Sequence, residues 1–115
     1  MSDSIFTRII NREIPSEIVY EDDSVIAIRD IQPQAPVHLL VIPKCPDYRD
    51  VVDLATGDAE LMAHMVAVAG QLANEHANGD FRLIFNSGED AGQTVFHVHA
   101  HVLAGGLEEG TLAGN

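Results

Sequence analysis

Hydrophobic and polar positions along this chain change period several times, and each change marks an element. In IFTRIINR the apolar residues Ile5, Phe6, Ile9 and Ile10 share one helical face. This predicts a short amphipathic helix, with Ser2 or Asp3 as its cap and Pro15 ending the segment. EIVYEDDSVIAIRD then shows two β-rich runs, Ile18 to Tyr20 and Val25 to Ile28, parted by the polar residues Glu21 to Ser24, which is the layout of an antiparallel hairpin. Gln32-Pro33-Gln34-Ala35-Pro36 breaks regular structure, because neither proline has an N–H to donate. HLLVIP beyond it is densely apolar and ends at Pro43, so it predicts a buried central strand.

From about Thr56 to Ala77 the period returns to that of a helix. Leu61, Met65, Val68 and Leu72 recur at three- and four-residue steps, and Asn78-Gly79 supplies the stop. FRLIFN reads as a strand, SGEDAGQT as a Gly-rich polar loop, and VFHVHAHVL as a further strand that closes the sheet. The sum is an α+β layout: a mainly antiparallel five-stranded sheet with one long and one short helix. No repeat at solenoid periods is present. The chain from 1 to 115 reads as a single domain, with a mobile tail expected from about residue 108.

Composition narrows the partners. A chain of 115 residues with 46% hydrophobic and 21% charged residues is ordinary globular protein, and no Pro-rich, Gly/Ser-rich or like-charge block marks a linker. Eighteen acidic against six basic residues give a formal charge of −12, which argues against nucleic acid or an anionic membrane as partner. An anionic ligand must therefore be met by local donors. The one cysteine, Cys45, has no intrachain partner, and the first twelve residues lack a basic start followed by an apolar run. No apolar run approaches a bilayer-spanning length and no paired cysteines make a zinc finger, so a reducing cytoplasm is the expected compartment.

Half of the six histidines lie in HVHAHVL at alternate positions. On a strand His97, His99 and His101 point one way, about 6.6 Å apart, while Val98, Ala100 and Val102 point the other. Alternating imidazoles can be a polar strand face, part of a metal site or a catalytic site. A metal needs further ligands, with His38, Asp30 and Asp90 as candidates, and three collinear imidazoles do not by themselves meet one ion at about 2.0 Å. The nucleophile reading uses the spacing more fully: the central imidazole attacks, one neighbour fixes its tautomer and the other faces a phosphate or leaving group. Spacing alone leaves the metal and catalytic readings open. The loop Ser87 to Thr94 runs directly into the histidines, and its glycines permit the close backbone approach that holds phosphate oxygens.

HVHAHVL matches the signature of alternating histidine and apolar residues that names the histidine-triad (HIT) family. IFTRIINREIPSEIVYEDDSVIAIRDIQPQAPVHLLVIPK, FNSGEDAGQTVFHVHAHVL and the following AGG resemble the branch called histidine triad nucleotide-binding proteins, over about residues 4 to 106. The resemblance implies a HIT-like fold paired into a homodimer, and hydrolysis of purine nucleoside phosphoramidates through a covalent nucleotidyl-histidine. It implies His99 as nucleophile, His97 and His101 as flanking members, and His38 as an extension of their network. Asp30 would accept hydrogen bonds from the ribose hydroxyls, with Ile31 and Phe6 against the purine ring. Asn86, Gly92, Gln93 and Thr94 would serve the phosphate.

Neither metal nor cofactor is implied. The expected partners are a purine nucleoside monophosphate or phosphoramidate and a second copy of the chain. Two alternatives accompany this reading: a dinucleoside polyphosphate hydrolase of the same superfamily, and a purine-nucleotide-binding interaction protein with little catalysis. Thr94 stands where the branch usually has serine, and the tail EEGTLAGN lacks the aromatic residues often found there. Lys44 reads as a surface charge, and His64 and His76 as structural or exposed positions on the long helix.

Overall fold

A computed structural model describes residues 3–111. Its chain order is helix α1 (Ile5–Ile10), strands β1 (Ile18–Glu21), β2 (Val25–Arg29) and β3 (Val37–Pro43), helices α2 (Val51–Gly57) and α3 (Ala59–His76), then strands β4 (Arg82–Ile84) and β5 (Ala100–Ala104). Short 3-10 turns cover Glu89–Ala91 and Glu109–Thr111. The five strands form one sheet in the order β1-β2-β3-β5-β4, with each neighbouring pair antiparallel. The expected α+β class and strand count are therefore present. β5 does not close the sheet, however: it lies between β3 and β4, and β4 takes the edge.

Two apolar layers sandwich the sheet, and alternation assigns each side chain to one of them. Val25, Ala27, Leu39, Val41, Ala100 and Val102 pack against Leu54 of α2 and Met65, Val68, Ala69 and Leu72 of α3. Ile26, Ile28, Leu40 and Ile42 face the other way and pack against Phe6 and Ile9 of α1. β2 and β3 are covered on both faces, which is why they read as unbroken apolar runs. The covers are unequal. α3 has 18 residues and α1 has six, so α1 shields one part of its face and leaves the rest for other chemistry.

Two boundaries differ from the sequence reading. Ser4, not Asp3, caps α1, its side chain accepting from Thr7 N, while Ser2 lies outside the described residues. Ile5 is exposed, so Phe6 and Ile9 anchor the helix. The helix expected from Thr56 to Ala77 is α3, Ala59–His76, and a separate helix, α2, precedes it over Val51–Gly57, where none was expected. Asp58 (φ −156°, ψ 80°) breaks the spiral, ending α2 and capping α3 through a bond from Leu61 N to its carboxylate. The apolar period continues across the break because α2 and α3 both face the same sheet surface.

The expected tail from about residue 108 begins with an ordered contact, Arg82 donating to the Glu108 carbonyl at 2.8 Å, and residues 112–115 lie outside the described set. Among the described residues no helix is long and apolar enough to cross a membrane. His64 bonds the Asp22 carboxylate at 2.7 Å, tying α3 to the β1–β2 turn, and His76 lies 3.4 Å from Arg29. Lys44 pairs with Glu21 at 2.8 Å.

Candidate active site

The regular strand begins only at Ala100, three residues later than the first histidine, yet the alternation of HVHAHVL holds. Val98, Ala100 and Val102 enter the layer under α3, and the histidines turn to the α1 face. Phe6 meets His97 and His99 edge-on, with ring centroids 5.9 and 4.8 Å apart. His99 and His101 are 5.3 Å apart, and His38 from β3 stands 5.2 Å from His101. β3 brings His38 there because its even-numbered positions share the α1 face with Leu40, which pairs with His101 across the ladder.

Each imidazole is held differently. His97 is 1% exposed; its Nε2 donates to the Pro43 carbonyl at 2.8 Å, and its Nδ1 accepts from the Ser4 hydroxyl at 2.8 Å. With both nitrogens occupied and no access, His97 holds α1 to the sheet. His99 Nδ1 donates to the His97 carbonyl at 2.9 Å. A carbonyl only accepts, so the neutral ring carries its proton on Nδ1 and presents a bare lone pair at Nε2. His38 Nε2 lies 2.9 Å from His101 Nδ1 and 3.4 Å from Asp30 Oδ2, and His38 Nδ1 faces the Gln34 backbone N–H at 3.0 Å.

Burial lowers the pKa of all four rings, because an imidazolium removed from water loses hydration. Asp30 opposes this for His38, His99 and His101 without reversing it. His101 falls furthest, to about 4, with the neighbouring His99 and His38 adding to burial. At neutral pH the four rings are therefore uncharged, and His99 presents an unprotonated Nε2.

The other expected residues divide. Asp30 joins the histidine group; its Oδ1 accepts from Gln32 N at 2.8 Å, leaving Oδ2 toward His38. Phe6 packs on the histidine rings themselves, and Ile31 is 91% exposed beside Asp30. Asn86 is part-buried and lies two residues beyond the end of β4. Thr94 is exposed on an open groove of about 750 Å³ that also touches Ser4, Ile5, Asp47, Phe96 and His97.

Several donors of the loop are bonded to the chain itself. Gly88 and Gly92 hold left-handed φ of 93° and 94°, which accounts for glycine at both positions. The N–H groups of Ala91, Gly92 and Gln93 all bond within the turn. The Gln93 amide, 3% exposed, donates to Arg49 O and Val95 O and accepts from Gly88 N. In this conformation Gln93 braces the loop. Its side-chain donors, expected to face phosphate, are engaged because burial demands partners for them.

Sequence reasoning missed Ser4, Gln34 and the Pro43 carbonyl as supports of the histidines. Ser4 was legible as a cap one residue on, but its bond to His97 spans 93 positions and has no local signal. Asp30, His38 and His101 also bring one ligand atom each within 4.8 Å of the others, close enough for a cation to join them, although two of these atoms already bond each other. Asp90, considered as a ligand, is exposed in the 3-10 turn and is not in this group.

Comparison with known proteins places the fold and the family. Residues 3–113 match the family model described as scavenger mRNA decapping enzyme C-term binding. The chain is 48% identical over 104 residues to an uncharacterised HIT-like protein of Synechocystis, covering 90% of each chain. It is 44% identical over 105 residues to the purine nucleoside phosphoramidase of Escherichia coli, covering 90% of this chain and 87% of that one. A HIT family hydrolase from Clostridium thermocellum superposes with a TM-score of 0.84 at 44% identity, covering 91% of this chain and 92% of the other. A histidine triad protein from Clostridium difficile superposes at 0.85 with 42% identity, over 94% and 95% of the two chains. With the triad, the sheet that carries it and these relatives in agreement, the chain belongs to the histidine-triad family.

Proposed function

We propose that this protein is a purine nucleoside phosphoramidase of the nucleotide-binding histidine-triad branch, working as a homodimer. The observation that carries the reading is His99: a neutral, part-buried imidazole whose Nδ1–H is fixed on the His97 carbonyl, so that Nε2 is the nucleophilic atom. Similarity to a phosphoramidase over most of both chains supports the substrate class.

In the first step the His99 Nε2 lone pair bonds to phosphorus as the P–N bond to the amine breaks, and the departing nitrogen takes a proton from water. In the second, a water adds to phosphorus, loses its proton to solvent and frees His99, releasing the nucleoside monophosphate. Asp30 offers carboxylate acceptors to the ribose diol. Asn86 and Thr94 serve the phosphate side, where donors stabilise charge on the five-coordinate phosphorus, and Gly92, its N–H bonded to the Glu89 carbonyl, shapes the loop that leads there. Gln93 supports that side by holding the loop. The residues named for chemistry are all in the chain itself, and no metal or cofactor is part of the reaction.

The test is turnover of an adenosine phosphoramidate by His99→Ala. Loss of about 10⁴-fold or more in kcat is expected, as for removal of a covalent nucleophile, with AMP affinity and fold retained. Turnover within tenfold of wild type would remove His99 from the role.

A further inference from the structure

The proton positions in the His38–His101 pair follow from one backbone group. Gln34 N–H reaches His38 Nδ1 at 3.0 Å. A backbone N–H can only donate, so His38 Nδ1 carries a lone pair and the ring proton sits on Nε2. That Nε2–H donates to His101 Nδ1 at 2.9 Å, which places the proton of His101 on its own Nε2. We propose that the Gln34 N–H is a tautomer lock, a positioning group that keeps the His38–His101 pair neutral and makes His101 Nε2–H a fixed hydrogen-bond donor rather than an acid.

Adding a proton to the pair shows why. It enters either at His38 Nδ1 or at His101 Nδ1. The first sets a ring N–H head-on to the Gln34 N–H at 3.0 Å. The second requires His38 Nε2 to become an acceptor, which moves the His38 proton to Nδ1 and produces the same collision. The charged and titratable groups facing the pair are Asp30, whose Oδ2 at 3.4 Å favours protonation, and His99, which opposes it for His101. Burial and the lock outweigh Asp30, in line with the low pKa of both rings.

The lock is braced. Asp30 N bonds the His38 carbonyl at 3.0 Å and closes the intervening loop, Gln32 N bonds Asp30 at 2.8 Å, and the Gln34 side chain returns to Gln32 O at 3.1 Å. Pro33 and Pro36 limit the backbone on either side of Gln34. A run that reads as a mere breaker thus aims one N–H. The lock also withholds the His38 Nε2 lone pair from a cation, so the ligand atoms gathered by Asp30, His38 and His101 are unsuited to one while Gln34 stays in place.

The catalytic consequence rests on the phosphoramidase reading. His101 donates a hydrogen bond without losing its proton, as a neutral imidazole can polarise a bond it does not protonate. The leaving nitrogen is protonated by water, and that proton is restored when the second water gives one up.

Gln34→Pro removes the N–H, and Gln34→Ala keeps it. In imidazole ¹⁵N spectra at neutral pH, wild type and Gln34→Ala are expected to show His38 and His101 as neutral Nε2–H rings. Gln34→Pro is expected to mix their tautomers and raise their titration midpoints by about one pH unit or more. Its kcat should fall about tenfold with a shifted acid limb, while KM stays within about twofold. Wild-type His38 carrying its proton on Nδ1, or unchanged tautomers and midpoints in Gln34→Pro, would overturn the lock. Absence of phosphoramidate turnover by wild type would overturn the function instead, and the spectra would still decide the lock. If Gln34→Pro does not fold, wild type decides it: the lock requires a through-hydrogen-bond coupling between Gln34 N–H and His38 Nδ1, and its absence refutes the proposal.

Discussion

Four histidines held below their ordinary pKa make this protein's stability depend on pH in a window set by imidazole. An unfolded histidine titrates near 6.5. The folded rings bind protons less readily, so as the pH falls the unfolded chain takes them up first and gains in population. Their contribution is complete above about 6.5 and is lost as the pH falls toward the folded values, about 4 for His101.

Asp22 acts lower. Burial alone would raise its carboxyl, but bonds from Tyr20, Val25, Ser24 and His64 together hold it well below the carboxylate range, and that contribution is lost only in stronger acid. The unfolding free energy from urea titration, and with it the midpoint, should therefore fall between pH 7.5 and 5, the free energy by up to about 1.4 kcal/mol per pH unit for each ring. A midpoint that is flat over this range would contradict neutral buried imidazoles. His99 was legible as the candidate nucleophile because alternation and a family signature are local. The supports that fix its neighbours were not, since Ser4 and Pro43 reach His97 across 93 and 54 positions.

At the level of elements, period located most of the pieces and caps set their limits. α1 has six residues, too few to be stable alone in water. It persists because Phe6 and Ile9 are buried and Ser4 both caps it and reaches His97. The break between α2 and α3 was hidden because the apolar period does not stop there. It was legible only as Gly57-Asp58, a helix-ending residue before a capping one. Asp58→Ala should cost about 1 kcal/mol in urea unfolding, the usual cost of a lost N-cap, with turnover at the wild-type rate, since α3 lies on the sheet face opposite the histidines. No loss of stability would mean that the cap is not what starts α3.

At the scale of the whole molecule, the unequal covers of the sheet divide its labour. The α3 side is a closed core, and the α1 side is part core and part histidine cluster. The outer surface of α3 exposes Ala63, Val66 and Ala67 at helical spacing, and β4, three residues long, takes one edge of the sheet among the described residues. The proposed homodimer would cover this apolar surface, and sedimentation equilibrium should then give twice the chain mass of 12.4 kDa. Ala67→Arg, which adds bulk and charge to the exposed face of α3, should return the single-chain mass. A wild-type protein of single-chain mass at micromolar concentration would remove the dimer from the reading.

By itself the sequence determined what depends on neighbours within a few residues: the hairpin, the buried central strand, the helical periods, and three imidazoles on one side of a strand. These are consequences of backbone geometry, in which period two or 3.6 assigns each side chain a face. The tertiary structure alone decided where β5 inserts, that Gln93 braces its loop, and which nitrogen of each histidine carries the proton. Those depend on partners that a long loop or a sheet neighbour brings into place, and a hydrogen-bond donor 3 Å away acts on an imidazole regardless of its distance along the chain.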